Sequence, residues 1–230
     1  IWTIIMGILC FPFLLLPSKI LKYPAKIWIK VIFLFLDKIC NIKHKIDGLE
    51  NIPENSVLVV SKHQSAFETF AFYYYLSDCF FVHKKELYII PIFGQYLFKA
   101  NMVAINRNGG TKTMRKMLED VNVRLKKGKS IIIFPEGTRK EPGSDPDYKT
   151  GFIGIYKNTK KKILPVALNS GLCWSKKSWI LKRGKITIKF LPIIEENLDI
   201  SLEFFSVLFS NIINRFSISI CTYVCGPYHI

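Results

Sequence analysis

The run Lys62-His63-Gln64-Ser65-Ala66-Phe67-Glu68 sets an imidazole five residues ahead of a carboxylate. A carboxylate beside a histidine fixes the tautomer and stabilises the imidazolium that forms on proton uptake, so such a pair is a general base. On an ideal helix five residues would separate the two side chains by ~140°. They meet only if His63 precedes a helix and Glu68 reaches back from its first turns. The spacing alone is weak, because Glu68 could equally favour a helix N-terminus through the helix dipole.

Three further clusters follow apolar runs. Val103-Ala104-Ile105 leads to Asn106 and Arg107, with Gly109 and Gly110 before the next helical pattern. Ile132-Ile133-Phe134 opens into Pro135-Glu136-Gly137-Thr138-Arg139, and Leu164-Pro165-Val166-Ala167-Leu168 ends in Asn169-Ser170-Gly171. Taken singly, an arginine after a strand is usually a solvated charge, and Pro-Glu-Gly-Thr is ordinary turn chemistry. Taken together, in open α/β sheets ligands collect at the carboxyl ends of strands. His63, Arg107 and Arg139 would then share one cleft, with two guanidinium forks able to grip a phosphate. Backbone N–H groups around Gly137 and residues 109–110 would add a nest for the same anion.

Short apolar runs alternating with helical patterns predict a mixed, largely parallel α/β sheet flanked by helices. Strands are expected near residues 57–61, 102–105, 131–134, 163–168 and 185–191, and helices near 66–76, 111–127 and 151–158. In the second helix Met114, Leu118, Val121 and Leu125 recur on one face, and Gly128 is a natural stop. Three segments are expected: 1–44, hydrophobic and helical; 45–200, the catalytic domain; and 201–230, rich in Phe, Ser and Ile, without an assigned function.

The first segment opens with seventeen uncharged residues, IWTIIMGILCFPFLLLP, then Lys19, Lys22 and Lys26, then a second apolar run at 27–36. The chain does not begin with Met, and its start is expected to lie upstream. A spanning helix, a helical hairpin in one leaflet and a buried core helix all remain open. Pro12 and Pro17 interrupt a straight span, the lysines suit the headgroup level, and membrane attachment is the favoured reading.

The net charge of +16 points to anionic partners. Nucleic acid is not among them, since the basic residues are dispersed and no recognition signature is present. The six cysteines have neither disulfide-framework nor zinc-site spacing, and read as reduced thiols.

KHQSAFET, VAINR, FPEGTR and ILPVALNSG occur in the order and spacing of the four motifs of the glycerolipid acyltransferase family, which the chain resembles over roughly residues 45–195. The resemblance is to its bacterial 1-acylglycerol-3-phosphate acyltransferases. It implies transfer of a fatty acyl group from acyl-CoA or acyl-carrier protein to the 2-hydroxyl of lysophosphatidic acid, giving phosphatidic acid. His63 would be the base and Glu68 its orienting acid, where the family more often has Asp. Arg107, Glu136, Gly137, Thr138 and Arg139 would form the glycerol-phosphate site, with Lys84 as a further phosphate contact and Pro165 shaping the fourth motif near the donor. The N-terminal segment would anchor the protein at the cytoplasmic face of the inner membrane, and no metal or other cofactor is called for. A different acceptor, such as glycerol 3-phosphate or a lyso-ornithine lipid, is the alternative within the family. Outside it stand a serine or cysteine hydrolase using Ser65 or Cys79, which lacks a Gly-x-Ser-x-Gly elbow, and a non-catalytic membrane-binding protein.

Overall fold

The computed structural model describes residues 2–76, 78–106, 109–145, 147–178 and 180–195. Within them a sheet forms from β1 (Ile42–Asp47), β2 (Leu58–Ser61), β3 (Cys79–Lys84), β4 (Val103–Ile105), β5 (Ser130–Ile133), β6 (Ile163–Leu168) and β7 (Gly184–Phe190). The strand order is β1-β7-β6-β2-β5-β3-β4. Strands β2 to β6 are parallel, β7 runs antiparallel to β6, and β1 lies parallel to β7. The sheet is therefore mixed and mostly parallel, as expected. β2 and β6 are buried throughout, which is why they read as continuous apolar runs rather than alternating ones.

The flanking helices are α1 (Trp2–Leu9), α2 (Ser18–Lys38), α3 (Phe67–Tyr75), α4 (Phe93–Lys99), α5 (Gly110–Lys126), α6 (Thr150–Thr159) and the short α7 (Ser170–Cys173). On α5, Met117, Val121 and Leu125 are buried while Met114 and Leu118 pack at the edge of the core, so the apolar face is as read but turned slightly. Gly128 follows this helix with φ 80°, a left-handed conformation that closes its end.

Two strands escaped the sequence pattern. β1 is an edge strand whose exposed lysines, Lys43 and Lys45, hide its period. β3 continues the aromatic run after α3 with only a short turn between them.

The N-terminal segment is also less separate than expected. β1 begins at Ile42, ahead of the expected boundary at residue 45, and α2 contributes Ile29, Phe33 and Leu36 to the main core. Among the described residues no helix is long and apolar enough to cross a membrane. The uncharged opening run is divided into α1, a 3₁₀ turn at Phe11–Leu15 and the start of α2, with Pro12 and Pro17 at the breaks. The expectations for residues 201–230 lie outside the described residues. Of the cysteines, Cys79 and Cys173 are buried free thiols, and burial pushes the Cys79 thiol up to about 12.

Candidate active site

The site is built at the carboxyl ends of β2, β5 and β6, which lie side by side and run in one direction. β2 delivers His63 into the loop of residues 62–66, and α3 then starts at Phe67. Glu68, in the first turn of α3, reaches back over this loop. His63 Nδ1–H donates to Glu68 Oε1 at 2.9 Å. The backbone N–H groups of Gln64 and Ser65 donate to the same oxygen, each at 2.7 Å. The pair anticipated from spacing is thus formed, and by the expected route.

The imidazole is held on its flat side as well. Phe134, just after β5, stacks on it with ring centroids 4.1 Å apart and planes 14° from parallel. Glu68 is fully buried, while the His63 side chain is 20% exposed. With Nδ1 committed to Glu68, Nε2 is the nitrogen available to take a proton from a bound hydroxyl.

Glu136 has a different place from the one expected. Val60 pairs with Ile133, and His63 and Glu136 each lie three residues further on, so parallel register brings them together. Glu136 is 1% exposed, and its Oε2 accepts the His63 backbone N–H at 3.0 Å. It supports the base's loop and is closed to direct contact with an acceptor. Its Oε1 is buried without a partner among the described residues. Burial raises the Glu136 carboxyl above its ordinary 4.5, against the His63 N–H and the charges of Lys62, His63 and Lys140.

Stability from protonated Glu136 is fully present below pH 4.5 and is lost as pH rises through its folded pKa. Denaturation midpoints measured across pH should therefore fall less steeply over this window in Glu136→Gln than in the unaltered chain. Glu136→Ala leaves the His63 N–H unpaired and should cost ~1–3 kcal/mol at neutral pH. Equal pH slopes in the Gln variant and the unaltered chain would contradict the assignment.

Gly137 turns the chain after Glu136 with φ 64°, accessible at little cost only to glycine. The turn then returns to the base, where the Lys140 N–H donates to the His63 carbonyl at 2.7 Å. Arg139, one residue before this bond, is half-buried. Lys140 and Lys149 are both paired with Asp147, at 3.0 and 2.7 Å, so Arg139 is the cation of this turn left without a carboxylate among the described residues. The Thr138 hydroxyl accepts from Lys176 Nζ at 3.3 Å.

Lys84 ends β3 and is exposed, with His83 and Lys84 paired to Ala104 and Ile105 of β4. The strand preceding Arg107 thus runs beside Lys84, whereas Arg107 itself lies outside the described residues. Pro165, expected to shape the fourth motif, lies in β6. It sits within the sheet, paired with Val60 three residues before His63, and its carbonyl accepts the Leu191 N–H. It can set the course of β6 but does not line the cleft.

Ser170 was passed over in the sequence. It follows β6, is fully buried, and its Oγ–H donates to Glu68 Oε2 at 2.7 Å. Beside it the Gly171 N–H donates to Gln64 Oε1 at 3.2 Å. The available signal was a serine just past a wholly apolar strand that adjoins β2.

An apolar cavity of about 360 Å³ lies between α1, α2, α3, α4 and the sheet, with Gly7, Trp28, Phe70, Tyr73, Phe81 and Leu97 among its lining. Phe81 stacks on Phe134, which stacks on His63, so two aromatic rings connect the cavity wall to the base. Its size falls within the ~300–1,000 Å³ of small-ligand pockets.

A family model described as Acyltransferase matches residues 43–169. The 1-acyl-sn-glycerol-3-phosphate acyltransferase of Pseudomonas aeruginosa is 31% identical over 171 residues, covering 74% of this chain and 66% of that protein. The protein of the same name from Limnanthes douglasii is 32% identical over 157 residues, covering 67% of this chain and 55% of that one. The chain thus spans between about half and two thirds of the length of these curated relatives. Among solved structures, the 1-acyl-sn-glycerophosphate (LPA) acyltransferase PlsC from Thermotoga maritima matches with a TM-score of 0.68 and 24% identity, over 90% of this chain and 88% of that one. At that identity the match establishes a shared fold.

Proposed function

Because this chain belongs to the acyltransferase family, we propose that it transfers a fatty acyl group from a thioester, acyl-CoA or acyl-carrier protein, to the free 2-hydroxyl of 1-acylglycerol-3-phosphate, giving phosphatidic acid. The observation that carries the proposal is the His63–Glu68 pair, with Nδ1 engaged and Nε2 free, pinned by backbone bonds to the turn that bears Arg139. The names of the relatives supply the substrate class.

The chemistry balances with the chain's own groups. The acceptor hydroxyl loses its proton to His63 Nε2 as its oxygen attacks the thioester carbon. The C–S bond breaks, and the imidazolium returns the proton to the leaving thiolate. Glu68 stabilises the transient imidazolium. Direct transfer needs positioning of two substrates rather than an acyl-enzyme, and no metal or other cofactor enters this scheme. Arg139, together with Arg107, takes the acceptor's phosphate. The cavity beside Phe81 suits a fatty chain, being almost wholly apolar.

The same reading seats the N-terminal face in one membrane leaflet, at the cytoplasmic side of the inner membrane. Ile4, Ile8 and Leu9 of α1, Leu15 of the following turn, and Ile89 and Phe98 near α4 are all exposed, with Leu15 at 89%. The Tyr96 hydroxyl donates to the Gly7 carbonyl at 3.0 Å, joining α1 to α4 as one surface. Lys19, Lys22, Lys26 and Lys30 recur at helical spacing along α2 and would meet anionic headgroups. A lipid acceptor would then reach the cavity without leaving the bilayer.

The test is a panel in which the full chain, in phospholipid vesicles, receives labelled acyl-CoA or acyl-carrier protein with each of three acceptors: lysophosphatidic acid, glycerol 3-phosphate and a lyso-ornithine lipid. Labelled phosphatidic acid from the first acceptor, at rates at least tenfold above the others, is the expected result. Product from either of the others alone would redirect the assignment.

A further inference from the structure

The acid of the base pair is itself held by a residue just past the end of the neighbouring strand, β6. Three donors converge on Glu68 Oε1: His63 Nδ1–H, Gln64 N–H and Ser65 N–H. All three come from the loop immediately before α3. Oε2 is held by one bond, from Ser170 Oγ–H at 2.7 Å, and that bond crosses 102 residues of sequence. Both residues are wholly buried.

The division of labour between the two oxygens matters. The last torsion of a glutamate joins tetrahedral to planar carbon and is intrinsically broad. Donors gathered on one oxygen fix where that oxygen sits, yet leave the carboxylate plane free to turn about it. A donor on the second oxygen sets the plane. The plane in turn sets the line along which Oε1 receives His63 Nδ1–H, and so the direction in which Nε2 points. Glutamate has one more rotatable bond than aspartate, so an acid of this length gains more from such a lock.

We propose that Ser170 is a positioning residue for the base. It acts through Glu68, fixing the carboxylate plane so that His63 Nε2 is aimed at the acceptor hydroxyl. Its own hydroxyl is sealed from the cleft, so it does not touch substrate. The family match ends at residue 169, one short of it. Neighbouring bonds make the position rigid, since Asn169 Oδ1 accepts the Thr187 N–H at 2.7 Å and the Gly171 N–H bonds Gln64. The end of β6 therefore offers a fixed reference against which the loop after β2 is set.

The effect on turnover rests on the acyl-transfer reading, whereas the effect on the imidazole does not. The test uses the full chain with Ser170→Ala and Ser170→Thr and has two readouts. The first is kcat and KM for acceptor and donor. Ser170→Ala should lower kcat about tenfold with both KM values within about twofold, and Ser170→Thr, which keeps the hydroxyl, should recover most of the loss. The second is the low-field proton resonance of His63 Nδ1–H, assigned by its loss in His63→Ala. It should move in Ser170→Ala and return toward its original place in Ser170→Thr.

An unmoved resonance in Ser170→Ala, a loss carried by KM, or an alanine variant that does not fold would overturn the proposal. An unaltered chain that makes no phosphatidic acid, together with a resonance that moves in Ser170→Ala and returns in Ser170→Thr, would overturn the acyl-transfer reading and leave the role of Ser170 standing.

Discussion

His63→Ala is expected to abolish formation of phosphatidic acid while leaving the protein folded. General bases contribute roughly 10²–10⁴-fold to rate, and without one the acceptor hydroxyl must lose its proton to water in a closed site. The choice of His63 over Glu68 for this test comes from the structure. Removing the Glu68 carboxylate would leave the Gln64 and Ser65 N–H groups and the Ser170 hydroxyl unpaired in the interior. Each such loss costs ~1–3 kcal/mol, so Glu68→Ala would confuse catalysis with unfolding. His63→Ala removes one donor from an oxygen that keeps two others, and uncovers one face of Phe134. Denaturation midpoints should therefore change little. Full activity in this variant would end the general-base mechanism, and a small residual rate from substrate positioning alone would not.

The same geometry revises what an aspartate at position 68 would do. From the sequence, Glu68→Asp is expected to lose less than tenfold in turnover, the backbone being set for the longer side chain. Here the carboxylate must reach His63 and Ser170 together, one through each of its oxygens. An acid one methylene shorter would reach one at the expense of the other, unless α3 moves.

Much of the site was legible because it is assembled from local runs. His63 and Glu68 are five residues apart, and their meeting required only a loop followed by a helix start, both visible in the sequence. The strand ends were visible for a similar reason. Parallel strands buried on both faces are apolar throughout, so the first polar residue marks where each leaves the sheet. What the sequence could not order was the sheet itself. The role of Glu136 depends on β5 lying beside β2 with Ile133 opposite Val60, and that of Ser170 on β6 lying on the other side with Val166 opposite Ser61. Strand order and register are tertiary facts with no local signature. Without them a glutamate in a Pro-Glu-Gly-Thr turn and a serine after a strand both read as ordinary turn residues.

The N-terminal segment failed to read cleanly for another reason. Hydropathy counts apolar residues without knowing which face meets what. α2 gives Ile29, Phe33 and Leu36 to the core while Ile27, Leu34 and Phe35 remain exposed, so one helix carries apolar residues on both its buried and its exposed sides. Pro12 and Pro17 divide what precedes it. The result is an apolar surface on which the helices lie side by side.

Arg139→Ala should act on binding rather than on chemistry. The residue follows the Gly137 turn, and the next N–H is bonded to the His63 carbonyl, so its backbone is held beside the loop of the base. With Lys140 and Lys149 both paired with Asp147, it is the cation of that turn without a carboxylate among the described residues. A phosphate held there places the glycerol 2-hydroxyl at a fixed reach, and the same grip operates in the ground and transition states. Its loss therefore belongs in KM for the acceptor. A desolvated charged pair is worth ~2–4 kcal/mol, and the half-exposed position of Arg139 argues for the lower end, a rise of about 30-fold. Arg139→Lys keeps the charge but not the bidentate fork, and should fall between the two. KM for the thioester donor should be unchanged. A variant whose rate falls equally at every acceptor concentration would instead place Arg139 in the chemical step and move the phosphate site elsewhere along the strand ends.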